Sequence, residues 1–179
     1  MKGIKFLILT PLLAMLFGCS PKLTHFTSDL QETNNWTFED MQQIQFYLSK
    51  DITLYRAMSN SDAKIRDGKI TMVDGKKVEE IVIESGTPGV LVFSPKSDRM
   101  AVSFENGNDK RYLMFGPSSQ AGDKYVLLAK EWKRKKGEIT YEGKTYYTNS
   151  ESAYAALMVD LKRNRSIKVK KRTANGRTL

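Results

Sequence analysis

Cysteine and histidine are nearly absent: the 179 residues hold one of each, Cys19 and His25. A single thiol closes no disulfide within the chain, so burial has to stabilise the fold. One histidine and one cysteine are too few for the usual zinc, copper and haem ligand sets, and no metal or other cofactor is expected. The sequence also lacks a Gly-x-Ser-x-Gly elbow and a phosphate-cradling glycine loop. Long apolar runs are missing as well. The longest, Phe6–Phe17, has twelve residues broken only by Thr10-Pro11; as a helix it rises about 18 Å, short of the ~30 Å hydrocarbon core.

What that run does have is the right neighbours. Lys2 and Lys5 precede it without an acid, and Gly18 follows it, the pattern of a secretory signal peptide over residues 1–18. Leu16-Phe17-Gly18-Cys19 resembles the lipobox of bacterial lipoproteins. The resemblance implies a diacylglycerol on the Cys19 sulfur, cleavage before Cys19 and acylation of the new amine. Several acyl chains, at ~0.8 kcal/mol per buried methylene, hold a protein on a bilayer. By the same resemblance, Ser20 after the cysteine implies transfer to the outer membrane. No acidic cluster follows in Ser20–His25, so the domain is expected on the periplasmic face. Residues 19–35, polar and without sustained periodicity, read as a lipidated tether; His25 within it has no fixed neighbours with which to act as ligand or base.

Without residues 1–18 the chain keeps 161 residues, with 27 lysines and arginines (29 less Lys2 and Lys5) against 20 acids. That length suits one domain with a real core, here residues 36–179. A basic balance outside the cytoplasm points to anionic lipid headgroups or an acidic protein surface rather than to nucleic acid.

Within the domain, Thr37 is placed to cap a helix, with Glu39 and Asp40 at its positive end. Phe38, Met41, Ile44 and Leu48 recur at helical spacing, predicting one amphipathic helix over 37–49. After Lys50 the period becomes two. Met100, Val102 and Phe104 alternate with Ala101, Ser103 and Glu105, and Asp67-Gly68, Asp74-Gly75, Asn106-Gly107 and Glu142-Gly143 punctuate the chain. Strands are expected over 78–84, 89–94, 111–115 and 124–132. Residues 139–147 read as a hairpin closed at Glu142-Gly143, with Ile139 opposite Tyr146, and Glu105 and Lys110 flank the Asn106-Gly107 loop as a candidate pair. Ser85-Gly86-Thr87-Pro88-Gly89 reads as a turn between strands. Residues 150–162 fit a helix through Tyr154, Leu157, Met158 and Leu161, or a strand through Ala155, Leu157, Val159 and Leu161. The alternation at Ile167–Lys170 favours a final hairpin. The fold class is therefore mainly β: a compact sandwich or small barrel of antiparallel strands with one N-terminal amphipathic helix.

Candidate chemistry is sparse. Glu79 and Glu80 are adjacent in a strand and face opposite sides, and Glu84, Asp98, Glu105, Asp109 and Glu131 fall near strand ends and turns, where solvated acids are ordinary. Lys162, Arg163, Arg165, Lys168, Lys170, Lys171 and Arg172 place seven cations and no acid in eleven residues. Such a segment either protects a sheet edge from pairing with another chain or docks on an acidic surface or anionic headgroups. Lipid anchor, single β-rich domain and missing catalytic constellation together resemble the accessory lipoproteins of envelope machines, among them the outer-membrane lipoprotein of type VI secretion, alike in size and β-sandwich character. The resemblance implies a non-enzymatic scaffold or accessory subunit with a protein partner in the outer membrane or periplasm. A lipocalin-like cup for a lipid or other apolar ligand is the competing class, distinguished by an apolar cavity in place of a filled interior.

Overall fold

The computed structural model describes residues 22–58, 69–73, 76–107 and 110–164. Two antiparallel sheets build a sandwich rather than a closed barrel. The first has seven strands in the order β1-β13-β2-β6-β7-β8-β9: β1 (Leu23–His25), β13 (Leu157–Asp160), β2 (Phe46–Leu48), β6 (Pro88–Lys96), β7 (Arg99–Ser103), β8 (Leu113–Ser118) and β9 (Lys124–Leu127). The second runs β10-β11-β12-β3-β5-β4: β10 (Glu131–Lys133), β11 (Lys136–Tyr141), β12 (Lys144–Asn149), β3 (Ile52–Ala57), β5 (Lys76–Ile83) and β4 (Lys69–Val73). Isolated bridges from Lys124 to Thr27 and from Val126 to Ala156 draw β9 back toward the start of its own sheet, but no continuous ladder closes it.

Two chain segments pass from one sheet to the other together. β2 pairs with β6 in the first sheet, and their continuations β3 and β5 pair in the second. The corner between them is made by Ser49–Asp51 on one segment and Glu84–Thr87 on the other. There the Gly86 N–H donates to Leu48 O at 2.7 Å, with Gly86 at φ +80. A left-handed residue is needed to turn so sharply, and glycine adopts it without a Cβ penalty. Ser85-Gly86-Thr87-Pro88-Gly89 is thus the turn its composition indicates.

Period-two alternation places the core. Ile52 and Leu54 on β3, Ile139 and Tyr141 on β11, and Tyr146 on β12 face inward against Phe46, Leu48, Met100, Val102, Leu113 and Phe115 of the first sheet, all buried. The 139–147 hairpin forms with Ile139 opposite Tyr146. Glu142 at φ +53 and Gly143 at φ +73 give it the doubly left-handed turn that matches strand twist.

Four expectations need correction. The helix over 37–49 is α2 (Phe38–Gln42) only, closed by the Thr37 capping box with Asp40, and the chain then extends into β2. Ile44, Phe46 and Leu48 also alternate with period two. As a strand between β13 and β6 this stretch pairs its backbone on both sides, which a lone helix does not do. Second, residues 23–35 do not behave as a tether: β1 pairs with β13, Phe26 is fully buried, and α1 (Ser28–Thr33) follows with Thr27 as its N-cap. The signal was one aromatic side chain inside a polar stretch. Third, the strand expected over 124–132 divides into β9 and β10, which belong to different sheets. At the break, the Leu128 N–H donates to Met114 O at 2.8 Å and the Lys130 N–H to Glu138 O at 2.8 Å. Fourth, 157–160 is a strand, but both its edges are filled by β1 and β2, so it offers none for the expected hairpin with 167–171. That partner segment lies outside the described residues; α3 (Leu161–Asn164) follows β13 directly.

Candidate functional site

Three loops meet at the sheet corner and border an open cleft of about 590 Å³ lined by Ser49, Lys50, Asp51, Ser85, Ser150, Glu151 and Tyr154. Hydrogen bonds lock its floor. The Ser85 N–H donates to Asp51 Oδ1 at 2.7 Å, and the Ser85 hydroxyl donates to Ser49 O at 3.0 Å. The Ala156 N–H donates to Ser49 Oγ at 2.8 Å, while Ser49 N–H donates to Ala156 O at 2.9 Å. Across the 150–154 loop, Asn149 Oδ1 accepts from both the N–H and the hydroxyl of Ser152 at 3.1 and 3.2 Å. On the rim stands Tyr154, 61% exposed, with Lys50 Nζ 5.9 Å from its ring centre. The volume falls within the ~300–1,000 Å³ typical of ligand clefts.

Sequence reasoning missed this site. In the sequence Tyr154 figures only in the helical alternative for 150–162, and Ser49-Lys50-Asp51 straddles the end of the expected 37–49 helix. The available signal was the polar triplet between buried Leu48 and buried Ile52.

A second, more apolar groove of about 400 Å³ runs along Phe93, Tyr112, Met114 and Leu128. Phe93, 36% exposed, meets the Tyr112 ring edge-on at 4.8 Å.

The acids singled out in the sequence are mostly spoken for. Glu79 is ion-paired to Arg56 and accepts from the Tyr146 hydroxyl at 3.1 Å. Glu105 pairs with Arg111 at 3.0 Å, and Arg111 also binds Glu142. Held chiefly by its hydrogen bond to Glu142, the Arg111 guanidinium keeps its proton more tightly than usual. The Arg111 bridge ties the loop after β7 to the β11–β12 turn, whose Glu142 N–H donates to Lys110 O at 3.0 Å. Asp98 lies 3.7 Å from Arg99 and Glu131 2.9 Å from Lys133; Asp109 is outside the described residues. Among the described residues no three acids, histidines or cysteines converge as metal ligands would.

His25 sits in β1 opposite Met158, where burial first and the Lys124 charge second lower its pKa. Of the basic segment, Lys162 is exposed on α3, its N–H donating to Asp160 Oδ1 at 3.0 Å, and Arg163 lies in the same helical turn. Arg165, Lys168, Lys170, Lys171 and Arg172 lie outside the described residues, as does Cys19. The Leu23–Asp160 pairing nevertheless brings the start of β1 and the root of the basic segment to the same end of one ladder.

No helix among the described residues is long and apolar enough to cross a membrane. Comparison with protein families, with curated proteins and with solved structures finds no match to this chain.

Proposed function

We propose that the protein is a lipid-anchored periplasmic accessory or scaffold subunit of an outer-membrane complex, held at Cys19 and working without catalysis. The observation that carries this reading is the distance between anchor and fold. Leu23, where β1 begins, is four residues after Cys19, and four residues span at most about 14 Å. A lipid on Cys19 would therefore hold the sandwich close against the headgroups, with its orientation restricted, as a positioning subunit requires. The Leu23–Asp160 register brings Lys162, two residues past Asp160, to the same end of the ladder as Leu23, and an anionic leaflet attracts each nearby lysine by about 1 kcal/mol.

The filled interior favours this over a cup for an apolar ligand. Phe26, Phe46, Phe115, Tyr125, Tyr141 and Tyr146 are all buried in the core cluster, in the space such a ligand would need. The test is to fractionate cells expressing the chain and its Cys19→Ser variant, and to identify partners of each from detergent-solubilised envelopes by mass spectrometry. The expected result is a triacylated N-terminal Cys19, loss of membrane partition in the variant, and recovery of an envelope protein with the anchored form. A mature chain of unmodified mass in the soluble fraction would end the proposal.

A further inference from the structure

The corner cleft goes beyond a positioning role, because its lining is chemically selective. Each ligand class can be weighed against the groups present. An apolar ligand would strip water from Asp51, Glu151, Lys50 and three serines with nothing to replace it. A phosphate or carboxylate would meet one cation, Lys50, against two carboxylates. A cation would have to share the Tyr154 face with the Lys50 ammonium already 5.9 Å from the ring centre.

A neutral, hydroxyl-rich ring brings no charge for Lys50 or the two carboxylates to repel, and it can hydrogen-bond to all three. The Tyr154 ring, 61% exposed on the rim, offers a flat apolar surface to the C–H face of a pyranose. The hydroxyls of that pyranose need acceptors and donors interleaved at short range, and the cleft supplies both. Asp51 uses Oδ1 on the Ser85 N–H; this fixes the carboxylate and leaves Oδ2 as acceptor. Ser49 Oγ accepts from the Ala156 N–H, so its own proton is available to donate. Lys50 adds a charged donor and Glu151 a second acceptor.

From this arrangement we infer that the cleft is a saccharide-binding subsite, with Tyr154 as stacking platform and Lys50, Asp51 and Glu151 as hydroxyl partners. Ser49 and Ala156 meet at the Leu157 end of β13, whereas Leu23 pairs with Asp160 at the other end. If the protein is held through Cys19, as proposed above, the cleft opens on the side away from the anchor. Binding itself does not depend on that reading.

The test uses the full chain in a sugar-free detergent, since a maltoside would compete for the site. Diacetylchitobiose, cellobiose, maltose and mannobiose are titrated to about 50 mM, the range in which weak millimolar sites saturate, and backbone amide shifts are followed by NMR. Expected are saturable shifts of Lys50, Asp51, Glu151 and Tyr154 with at least one disaccharide. Tyr154→Ala should weaken that binding at least about tenfold and Tyr154→Phe should leave it nearly intact, because stacking needs the ring and not its hydroxyl. Since Tyr154 is exposed, both variants should fold, which unchanged shifts elsewhere in the spectrum verify. The inference is overturned if none of the four sugars gives saturable shifts, if the shifts persist in Tyr154→Ala, or if inorganic phosphate or octanoate shifts the same amides and the sugars do not. Such a failure leaves the anchored-scaffold proposal standing, because lipidation and partner recovery are measured separately.

Discussion

Tyr146 shows how a single side chain is constrained by the inner face of the second sheet. Its ring is buried, its hydroxyl donates to Glu79, and the Arg56 guanidinium lies 5.7 Å from its ring centre. Burial above all, with the Glu79 charge adding to it and Arg56 opposing it, pushes the phenol up to about 12 from 10.0. The folded protein thus holds this proton more tightly than the unfolded chain. The associated stability is complete below pH 10.0 and is lost as pH rises toward about 12. Urea midpoints measured from neutral pH into this range should be level at first and then fall. Tyr146→Phe, which has no proton to lose, should show a shallower fall. An identical alkaline slope in both proteins would mean that Tyr146 is not buried against Glu79 as described. Nothing around residue 146 in the sequence announces this, because Arg56 and Glu79 lie on other strands.

At the scale of elements, α2 shows how far local signals reach. Thr37, Glu39 and Asp40 promise a helix start, and the capping box forms: Thr37 Oγ1 accepts from the Asp40 N–H at 3.2 Å, and Asp40 Oδ2 from the Thr37 N–H at 3.0 Å. Thr37→Ala should therefore cost about 1 kcal/mol, measured as a lower urea midpoint with unchanged slope; a neutral effect would show that so short a helix contributes nothing. Where α2 stops is not a local matter. Gln43–Leu48 satisfies both periods. What decides is the Gln45 side-chain amide, 2.8 Å from Gly89 O, together with the open edges of β13 and β6. The hairpin expected with 167–171 meets the same limit from the other side: both edges of β13, its expected partner, are occupied by β1 and β2.

For the molecule as a whole, the largest departure from the sequence reading is Phe26. Its ring stacks 6.2 Å from Trp36 and meets Phe46 and Tyr125 edge-on at 5.4 and 4.9 Å. The N-terminal segment therefore closes the core rather than leading to it. Phe26→Ala should lose about 3–5 kcal/mol, the range for emptying a buried aromatic site. A chain starting at residue 36 should fail to fold cooperatively, as read by circular dichroism melts and near-ultraviolet signal. A sharp, near-wild-type transition for that truncated chain would restore residues 19–35 to the status of a tether.

The sequence by itself determined the fold class, most of the strands and the 139–147 hairpin, because period-two alternation and left-handed turn residues act within a few residues of one another. The resemblance of Leu16–Cys19 to a lipobox is likewise read from contiguous residues. Tertiary structure alone decided that β1 belongs to the domain, that 43–48 is extended, and that Ser49–Asp51, Ser85 and Ser150–Tyr154 meet in one cleft. Those outcomes depend on which edges are open and which loops meet at a corner. Such contacts join residues up to about a hundred positions apart, such as Ser49 and Ala156, and leave no period or spacing in the chain.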